Sequence, residues 1–181
     1  MNKIVFKRIR NSHSSDFEYA KSILTKSFPC EEYRDLAEWG DYTENKNDFY
    51  NNVILCDNKK IGILSLWNFS SFIYIEHFAI SPEIRSKGFG HLVMNHLLKE
   101  ANNEIILEVE LPNNDQAKRR IHFYEEIGFH LCPFTYHQPP YRKGDELFPM
   151  RIMSSTPILS SDNFCKIKGI LYSRVYAFGE R

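Results

Sequence analysis

The chain has 181 residues, the length of one ordinary domain. Its 23 Lys and Arg balance its 23 Asp and Glu, so no overall field attracts nucleic acid or an anionic membrane. The 43% of hydrophobic residues is slightly low for a globular chain, but the 14% of aromatic residues is far from the composition of a disordered one. We therefore expect a single domain over residues 1–181, without a nucleic-acid partner.

Neither the first residues nor the cysteines indicate export, membrane insertion or metal binding. The N-terminal segment lacks the apolar core of a signal peptide, and no run approaches the roughly 18 apolar residues of a membrane span. The four cysteines lie far apart, without the CxxC pairs that hold zinc. The sequence predicts a cytoplasmic protein with no metal site, as a monomer or a homodimer.

The N-terminal half predicts a β–α opening followed by a hairpin. β-Branched residues at Ile4–Ile9 are typical of a strand, and apolar residues recur at helical spacing from Ser15 to Pro29. The further elements expected before residue 70 are a short helix near Tyr33–Trp39 and two hairpin strands, Val53–Cys56 and Ile61–Trp67.

The C-terminal half alternates strands and helices. Phe72–Ile80 is apolar on both faces, which indicates a central strand, and its one carboxylate is Glu76. The elements expected after it are a helix from about Gly88 to Ala101, a strand at Ile105–Leu111, a helix over Asp115–Ile127 ending at Gly128, strands at Phe129–Phe134 and Met150–Met153, and a helix over about 162–178.

Between the central strand and the next helix lies the loop Arg85-Ser86-Lys87-Gly88-Phe89-Gly90. Glycines let the backbone approach a ligand, and the free N–H groups and positive dipole end of a helix favour phosphate. The loop lacks the Gly-Lys-Ser/Thr end of a Walker A loop, and Val93 stands where a dinucleotide fingerprint needs its third glycine. It predicts a pyrophosphate site of another kind, although a plain turn has the same pattern.

This loop resembles the acyl-coenzyme A loop, Arg/Gln-x-x-Gly-x-Gly/Ala, of the GNAT-type N-acetyltransferase superfamily. Ile75–Pro82 is similar to the fourth strand of that family and its exit, Leu107–Val109 to the fifth strand, and Phe123–Phe129 to a helix-to-strand signature. The resemblance covers about residues 61–134. It implies an α/β fold with helices around a mixed, mostly antiparallel central sheet, in which the parallel strands 4 and 5 splay apart around acetyl-CoA.

The resemblance also implies which residues contact the coenzyme. The backbone of Phe78, Ala79 and Ile80 is expected to pair with the pantetheine amides, and Arg85 through Gly90 to hold the pyrophosphate. Tyr124 stands where the family often has a tyrosine near the coenzyme sulfur, and its phenol is expected to donate to the departing thiolate. The chain departs from many relatives at Ala117, where they have Asn; the substitutes considered are Asn113, Asn114, Arg119 and Arg120.

Acetyl transfer to a primary amine needs a base, because an amine with a pKa of about 10 is protonated near neutral pH. Glu76 is the first candidate, since its apolar strand neighbours are expected to raise its pKa. Its alternative role is a structural ion pair. Glu108 is the second candidate, because it matches a strand-five glutamate that some family members use as the base. By strand alternation His77 is expected to point away from Glu76.

The loop from Tyr136 to Glu146 is aromatic and stiffened by proline, which suits a wall of an acceptor pocket contacted by Tyr141 and Arg142. An ordinary surface crossover has the same composition.

The leading hypothesis is an acetyl-CoA-dependent N-acetyltransferase that acts directly on a primary amine of a small molecule or peptide, without a covalent enzyme intermediate. The alternative is a catalytically inactive acyl-CoA-binding sensor or accessory module. The sequence does not select the acceptor.

Overall fold

The computed structural model describes residues 2–142 and 144–179. The chain divides into two compact units, Met1–Asn103 and Glu104–Arg181. Each unit contains antiparallel strands and flanking helices, which agrees with the predicted α/β class. The assignment of residues 1–181 to one domain stays a prediction.

The first unit is built on four antiparallel strands in chain order. β1 (Ile4–Arg8) pairs with β2 (Phe49–Cys56), β2 with β3 (Lys59–Asn68), and β3 with β4 (Phe72–Ile80). Seven consecutive residues of β3 are buried, and β4 has no exposed position, so both strands lie in the core. The predicted central strand is confirmed at both ends.

In the described part of the first unit, three α-helices accompany these strands. The predicted first and third helices are confirmed to within about two residues, because their apolar spacing and their ends are local signals. The second is longer than expected and begins later, since Asp35 caps it by accepting a hydrogen bond from the N–H of Ala37. The bounds are α1 (Ser15–Ser27), α2 (Leu36–Asn45) and α3 (Phe89–Glu100).

In the second unit, three strands pair antiparallel with a fourth. That fourth strand is β8 (Phe148–Ser154), which pairs with β5 (Glu104–Glu110), β6 (His130–Leu131) and β7 (Tyr136–Gln138). Gly128 ends the helix between β5 and β6 with a φ of +92°, which confirms the predicted left-handed cap. The helix bounds are α4 (Asp115–Glu126) and α5 (Ser161–Ile170).

Three features of the second unit differ from the sequence prediction. The strand predicted at Phe129–Phe134 is only two residues long, His130–Leu131. β7 lies in the segment predicted to be a loop, because three residues are too few to show a periodic pattern. The last helix was predicted to continue to about residue 178. Instead α5 ends at Ile170, and one wider π-helical turn follows over Leu171–Val175. Among the described residues, no helix is both long and apolar enough to cross a membrane.

Candidate active site

The predicted phosphate loop follows β4 and leads directly into α3. Gly88 is the N-cap residue of α3, has a φ of +79°, and makes no side-chain cap bond. The other α-helices of the described chain each begin with a side-chain oxygen that accepts a backbone N–H, supplied by Ser14, Asp35, Asn114 and Ser160. The first turn of α3 is therefore the one that no side chain caps.

The shape of this loop is fixed by Arg85. Its Nε donates a hydrogen bond to the carbonyl oxygen of Ile80 at 3.0 Å, and its Nη2 donates to Ser27 Oγ at 2.7 Å. A Cβ placed on Gly88 would have no atom within 4 Å, so the space beside the helix end is open. The N–H groups of the first turn of α3 thus fit an anion, and Lys87 is exposed beside them.

The last residues of β4 lie close against β3. Ala79 is opposite Ile63, and Ile80 is opposite Gly62. A Cβ at position 62 would be only 2.2 Å from the carbonyl oxygen of Ala79, so this approach requires glycine. In an antiparallel pair, alternate N–H and C=O groups point away from the partner strand, and Phe78–Ile80 present such groups on the side away from β3.

A β-bulge interrupts β4 at Glu76. Ser65 is opposite His77 and the next residue of β3, Leu66, is opposite Ile75, so Glu76 has no partner in the β3 ladder. A bulge inserts one extra residue and breaks the regular alternation of side chains. The inserted residue here is the glutamate that the sequence ranked first as a base.

Glu76 is held in a buried ion pair. Its side chain is 0% exposed; Oε1 accepts from Arg34 Nη2 at 2.6 Å, and Oε2 accepts from Trp67 Nε1 at 2.8 Å. Burial by itself raises the pKa of Glu76, but the Arg34 charge and these hydrogen bonds outweigh it and leave the pKa below its ordinary value. The expectation of a raised pKa is therefore wrong.

His77 is buried beside this ion pair. Its Nε2 lies 2.9 Å from the carbonyl oxygen of Glu32, and its ring packs edge-on against Phe28. Burial lowers the pKa of His77 below 6.5, so the ring is neutral at neutral pH. The prediction that Glu76 and His77 point apart is wrong, because the bulge directs both side chains to the segment 32–34.

Arg34 is the residue of this cluster that the sequence did not identify. Its side chain is 1% exposed, its Nη1 lies 3.5 Å from Glu38 Oε1, and its guanidinium lies 4.3 Å from the ring centroid of Tyr42. Arg34 precedes α2 in a segment without periodic pattern. Sequence alone therefore gives no signal that this arginine is buried or that it binds a strand 42 residues away.

Glu108 lies on β5 in the second unit and is partly exposed. Its Oε1 accepts a hydrogen bond from the hydroxyl of Tyr136, and its Oε2 accepts from the hydroxyl of Tyr176 at 2.7 Å. Burial and the nearby carboxylate raise the pKa of Tyr136 well above 10, so its hydroxyl remains a donor. The sequence predicted the half-exposed position of Glu108 but neither tyrosine partner.

Tyr124 is buried on α4, and its ring packs against those of Phe123 and Phe129. Burial raises its pKa to about 12, although the charge of Arg120 acts in the opposite direction. Its hydroxyl is therefore protonated throughout the ordinary working range of an enzyme. Such a group can donate a hydrogen bond to an anion.

The two residues predicted to contact an acceptor lie after β7. Tyr141 is buried, and its ring packs against Tyr176, the tyrosine that binds Glu108. Arg142 follows it and is partly exposed. In the second unit the structure thus connects Tyr141 to Glu108 through Tyr176. The described residues contain no cluster of His, Cys, Asp or Glu suited to a metal ion.

A model of the acetyltransferase (GNAT) family matches residues 6–129. The chain belongs to this family. YjbC of Bacillus subtilis (strain 168), which is named as a candidate acetyltransferase, is 31% identical over 141 residues, 77% of this chain and 71% of that protein. A candidate acetyltransferase of the GNAT family from Bacteroides thetaiotaomicron is 38% identical, with a TM-score of 0.91 over 95% of this chain and 98% of that one.

These similarities confirm the acyl-CoA N-acyltransferase fold predicted from the motifs. A Bacillus subtilis acetyltransferase whose structure contains CoA is more distant, with 12% identity and a TM-score of 0.58 over 85% of this chain and 97% of that one. At this level of identity the likeness shows the fold alone.

Many relatives have an Asn at the position of Ala117, and four residues of this GNAT chain were proposed to replace it as a coenzyme contact. Two of the four make other contacts in the structure. Asn114 caps α4 by accepting from the N–H of Ala117 at 2.8 Å. Arg120 pairs with Glu110. One contact of an amide or a guanidinium does not exclude a second, so all four residues stay predicted candidates for the coenzyme contact.

Proposed function

We propose that this GNAT protein transfers the acetyl group of acetyl-CoA directly to a primary amine of a small molecule or peptide. The observation that carries the proposal is the N-terminus of α3. Of the described α-helices, it is the one that begins at a glycine in the left-handed region, without a side-chain cap. A pyrophosphate at this position would accept hydrogen bonds from the N–H groups of the first turn, as side-chain oxygens do at the other α-helices.

The proposed coenzyme contacts run from this loop back along β4. Arg85 through Gly90 hold the pyrophosphate, mainly through backbone N–H groups, because the Arg85 guanidinium already binds Ile80 and Ser27. The N–H and C=O groups of Phe78–Ile80 that point away from β3 pair with the pantetheine amides. Both contacts use main-chain atoms that the fold fixes in advance.

The reaction exchanges one bond for another at an activated carbonyl. Acetyl-CoA supplies a thioester; the neutral amine nitrogen attacks its carbonyl carbon, so that a C–N bond forms and the C–S bond breaks. The amine loses a proton to a base, and the sulfur leaves as a thiolate. Of the two glutamates we assign this role to Glu108, because its carboxylate is held by neutral tyrosine hydroxyls, whereas that of Glu76 is paired with the charged Arg34, which lowers its pKa.

We assign Tyr124 to the departing thiolate, as the resemblance implies. Its pKa of about 12 refines the chemistry of that role. Full proton transfer to a thiolate whose thiol has a pKa of about 8.5 is uphill by about 5 kcal/mol. Tyr124 therefore acts as a hydrogen-bond donor that stabilises the thiolate, and solvent supplies the proton afterwards.

Incubation of the protein with acetyl-CoA and a mixed library of primary amines tests the proposal. Mass spectrometry should show at least one amine that gains one acetyl group, together with an equal amount of free CoA. A protein that binds acetyl-CoA but acetylates no amine in a library of small amines and peptides would contradict the enzymatic proposal and support the sensor alternative.

A pair of substitutions at Gly88 tests the coenzyme site itself. Gly88→Asp places a carboxylate beside the α3 N–H groups in space that is open, so acetyl-CoA should bind at least about tenfold more weakly. Gly88→Ala is the matched control, because it adds only left-handed strain of about 1 kcal/mol without charge. Equal dissociation constants for the two variants, measured by calorimetry, would show that the pyrophosphate lies elsewhere.

A further inference from the structure

One segment of the first unit binds β4 and the loop after it at several points. This segment, residues 27–34, connects α1 to α2, and we call it the strap. Its polar contacts are Ser27 with Arg85, the Glu32 carbonyl with His77, and Arg34 with Glu76. The strap therefore holds both ends of the stretch 76–85, which contains residues 78–80 and the start of the loop 85–90 to which the proposed function assigns the coenzyme.

The contact between Arg34 and Glu76 differs from the other two because both partners are charged and buried. Taking two charges out of water costs several kcal/mol for each ion, and their attraction often does no more than offset this cost. In other proteins an apolar pair of similar volume often replaces a buried ion pair without loss of stability. Stability alone therefore does not explain why this position contains an ion pair.

The ion pair determines which part of Glu76 faces outward. Residue 76 is partly exposed as a whole, yet its side chain is 0% exposed, so the exposed atoms belong to the main chain. The bulge also leaves residue 76 without a partner on β3. Arg34 and Trp67 hold the carboxylate inside, and the main chain at the bulge is thereby turned outward.

The proposed coenzyme contacts give this exposed main chain a position along the ligand. With the pyrophosphate at residues 85–90 and the pantetheine beside residues 80 to 78, the acyl end continues toward residue 76. Resting on the proposed function, we propose that Arg34 is a positioning residue for acetyl transfer. It fixes the bulge through Glu76, and the bulge main chain aligns the acyl group.

The test replaces the ion pair by an apolar pair in the full-length chain. In the double variant Arg34→Met, Glu76→Leu, the unfolding temperature should fall by no more than about 10 °C, because the N–H of Trp67 loses its acceptor while the buried charges are removed together. The dissociation constant of acetyl-CoA should change by less than about threefold, since the contacts at residues 78–90 remain. The kcat should fall by about 10- to 100-fold, because a misplacement of about 1 Å has that effect on a reacting group.

Arg8→Met is the matched control. Arg8 also packs over a tyrosine ring, that of Tyr50, and donates to a backbone carbonyl, but it lies on β1. This control should keep the wild-type kcat.

The outcomes separate this inference from the proposed function. A folded double variant with the wild-type kcat would show that the ion pair is only structural, and would overturn the inference. A wild-type protein that transfers no acetyl group would instead refute the proposed function. If the double variant does not fold, Trp67→Phe takes its place, because it removes one hydrogen bond to Glu76. A lower kcat at unchanged affinity for acetyl-CoA then supports the inference. An unchanged kcat overturns it.

Discussion

The protonation state of Glu76 depends on two partners that its own strand does not supply. Its apolar neighbours on β4 suggested a desolvated base with a raised pKa. In the structure, Arg34 and Trp67 each bind one carboxylate oxygen and keep it charged. Arg34 lies 42 residues away in the chain, and no sequence pattern connects the two residues. A pairwise contact of this kind follows only from the fold.

The buried ion pair predicts how stability depends on acid. Because the pKa of folded Glu76 lies below 4.5, the unfolded chain takes up the proton first as the pH falls. The stability from Glu76 is fully present above about pH 4.5 and is lost as the pH drops through the folded pKa. Glu76→Gln should remove this loss and should cost roughly 3–5 kcal/mol at pH 7, because Arg34 remains charged and buried.

Urea unfolding midpoints between pH 7 and pH 3 measure this effect. Glu100→Gln is the control, since Glu100 is exposed at the end of α3 and should leave the profile unchanged. An equal fall in stability with acid for the wild type and Glu76→Gln would contradict the prediction.

The hydroxyl of Tyr124 gives a second prediction for a single residue. Tyr124→Phe keeps the ring packing, so the unfolding temperature should change little, while kcat should fall by about 100-fold or more through loss of the donor. Because the pKa of Tyr124 is about 12, the rate of the wild type should not fall through ionisation of this hydroxyl below about pH 11. Steady-state rates across pH test both statements, and a wild-type kcat in the variant would contradict the assigned role.

Elements that could be predicted are those with a local signal. β4, α3 and α4 have apolar spacing and ends marked by glycine or a capping residue, and the structure confirms them to within about two residues. β7 has three residues and depends on pairing with β8, so the sequence did not show it. The loop before α3 was predicted because its glycines and charges lie together in the chain.

The close approach of β3 and β4 at Gly62 predicts a selective effect on one element. Gly62→Ala should destabilise the protein by about 1–3 kcal/mol, because its Cβ would meet the Ala79 carbonyl. It should also weaken acetyl-CoA binding through displacement of Ala79 and Ile80. Gly169→Ala is the control in α5, where the Cβ meets nothing within 4 Å, and should stabilise the protein by up to about 1 kcal/mol.

Denaturant midpoints and calorimetric titration with acetyl-CoA compare these two variants. Wild-type affinity in a destabilised Gly62→Ala protein would separate the β3–β4 contact from the coenzyme site.

At the scale of the whole molecule, zero net charge provides no general attraction for a polyanion, so any phosphate site must be local. The sequence identified the family through motifs that occur in order along the chain, and the family comparison confirmed it. The same motifs do not identify the acceptor, because the loops that select it differ among proteins with this fold. The hydrogen bonds from Tyr136 and Tyr176 to Glu108 also have no signal in the sequence, because they join residues that lie 28 and 68 positions apart.

The most direct measurement of the central claim is thermal unfolding with and without acetyl-CoA. A ligand that binds only the folded state at 100 times its dissociation constant stabilises it by about 2.7 kcal/mol. For a chain of this length, the unfolding temperature should therefore rise by about 5–10 °C, and the rise should be smaller for Gly88→Asp than for Gly88→Ala. An unchanged unfolding temperature at millimolar acetyl-CoA would contradict the account.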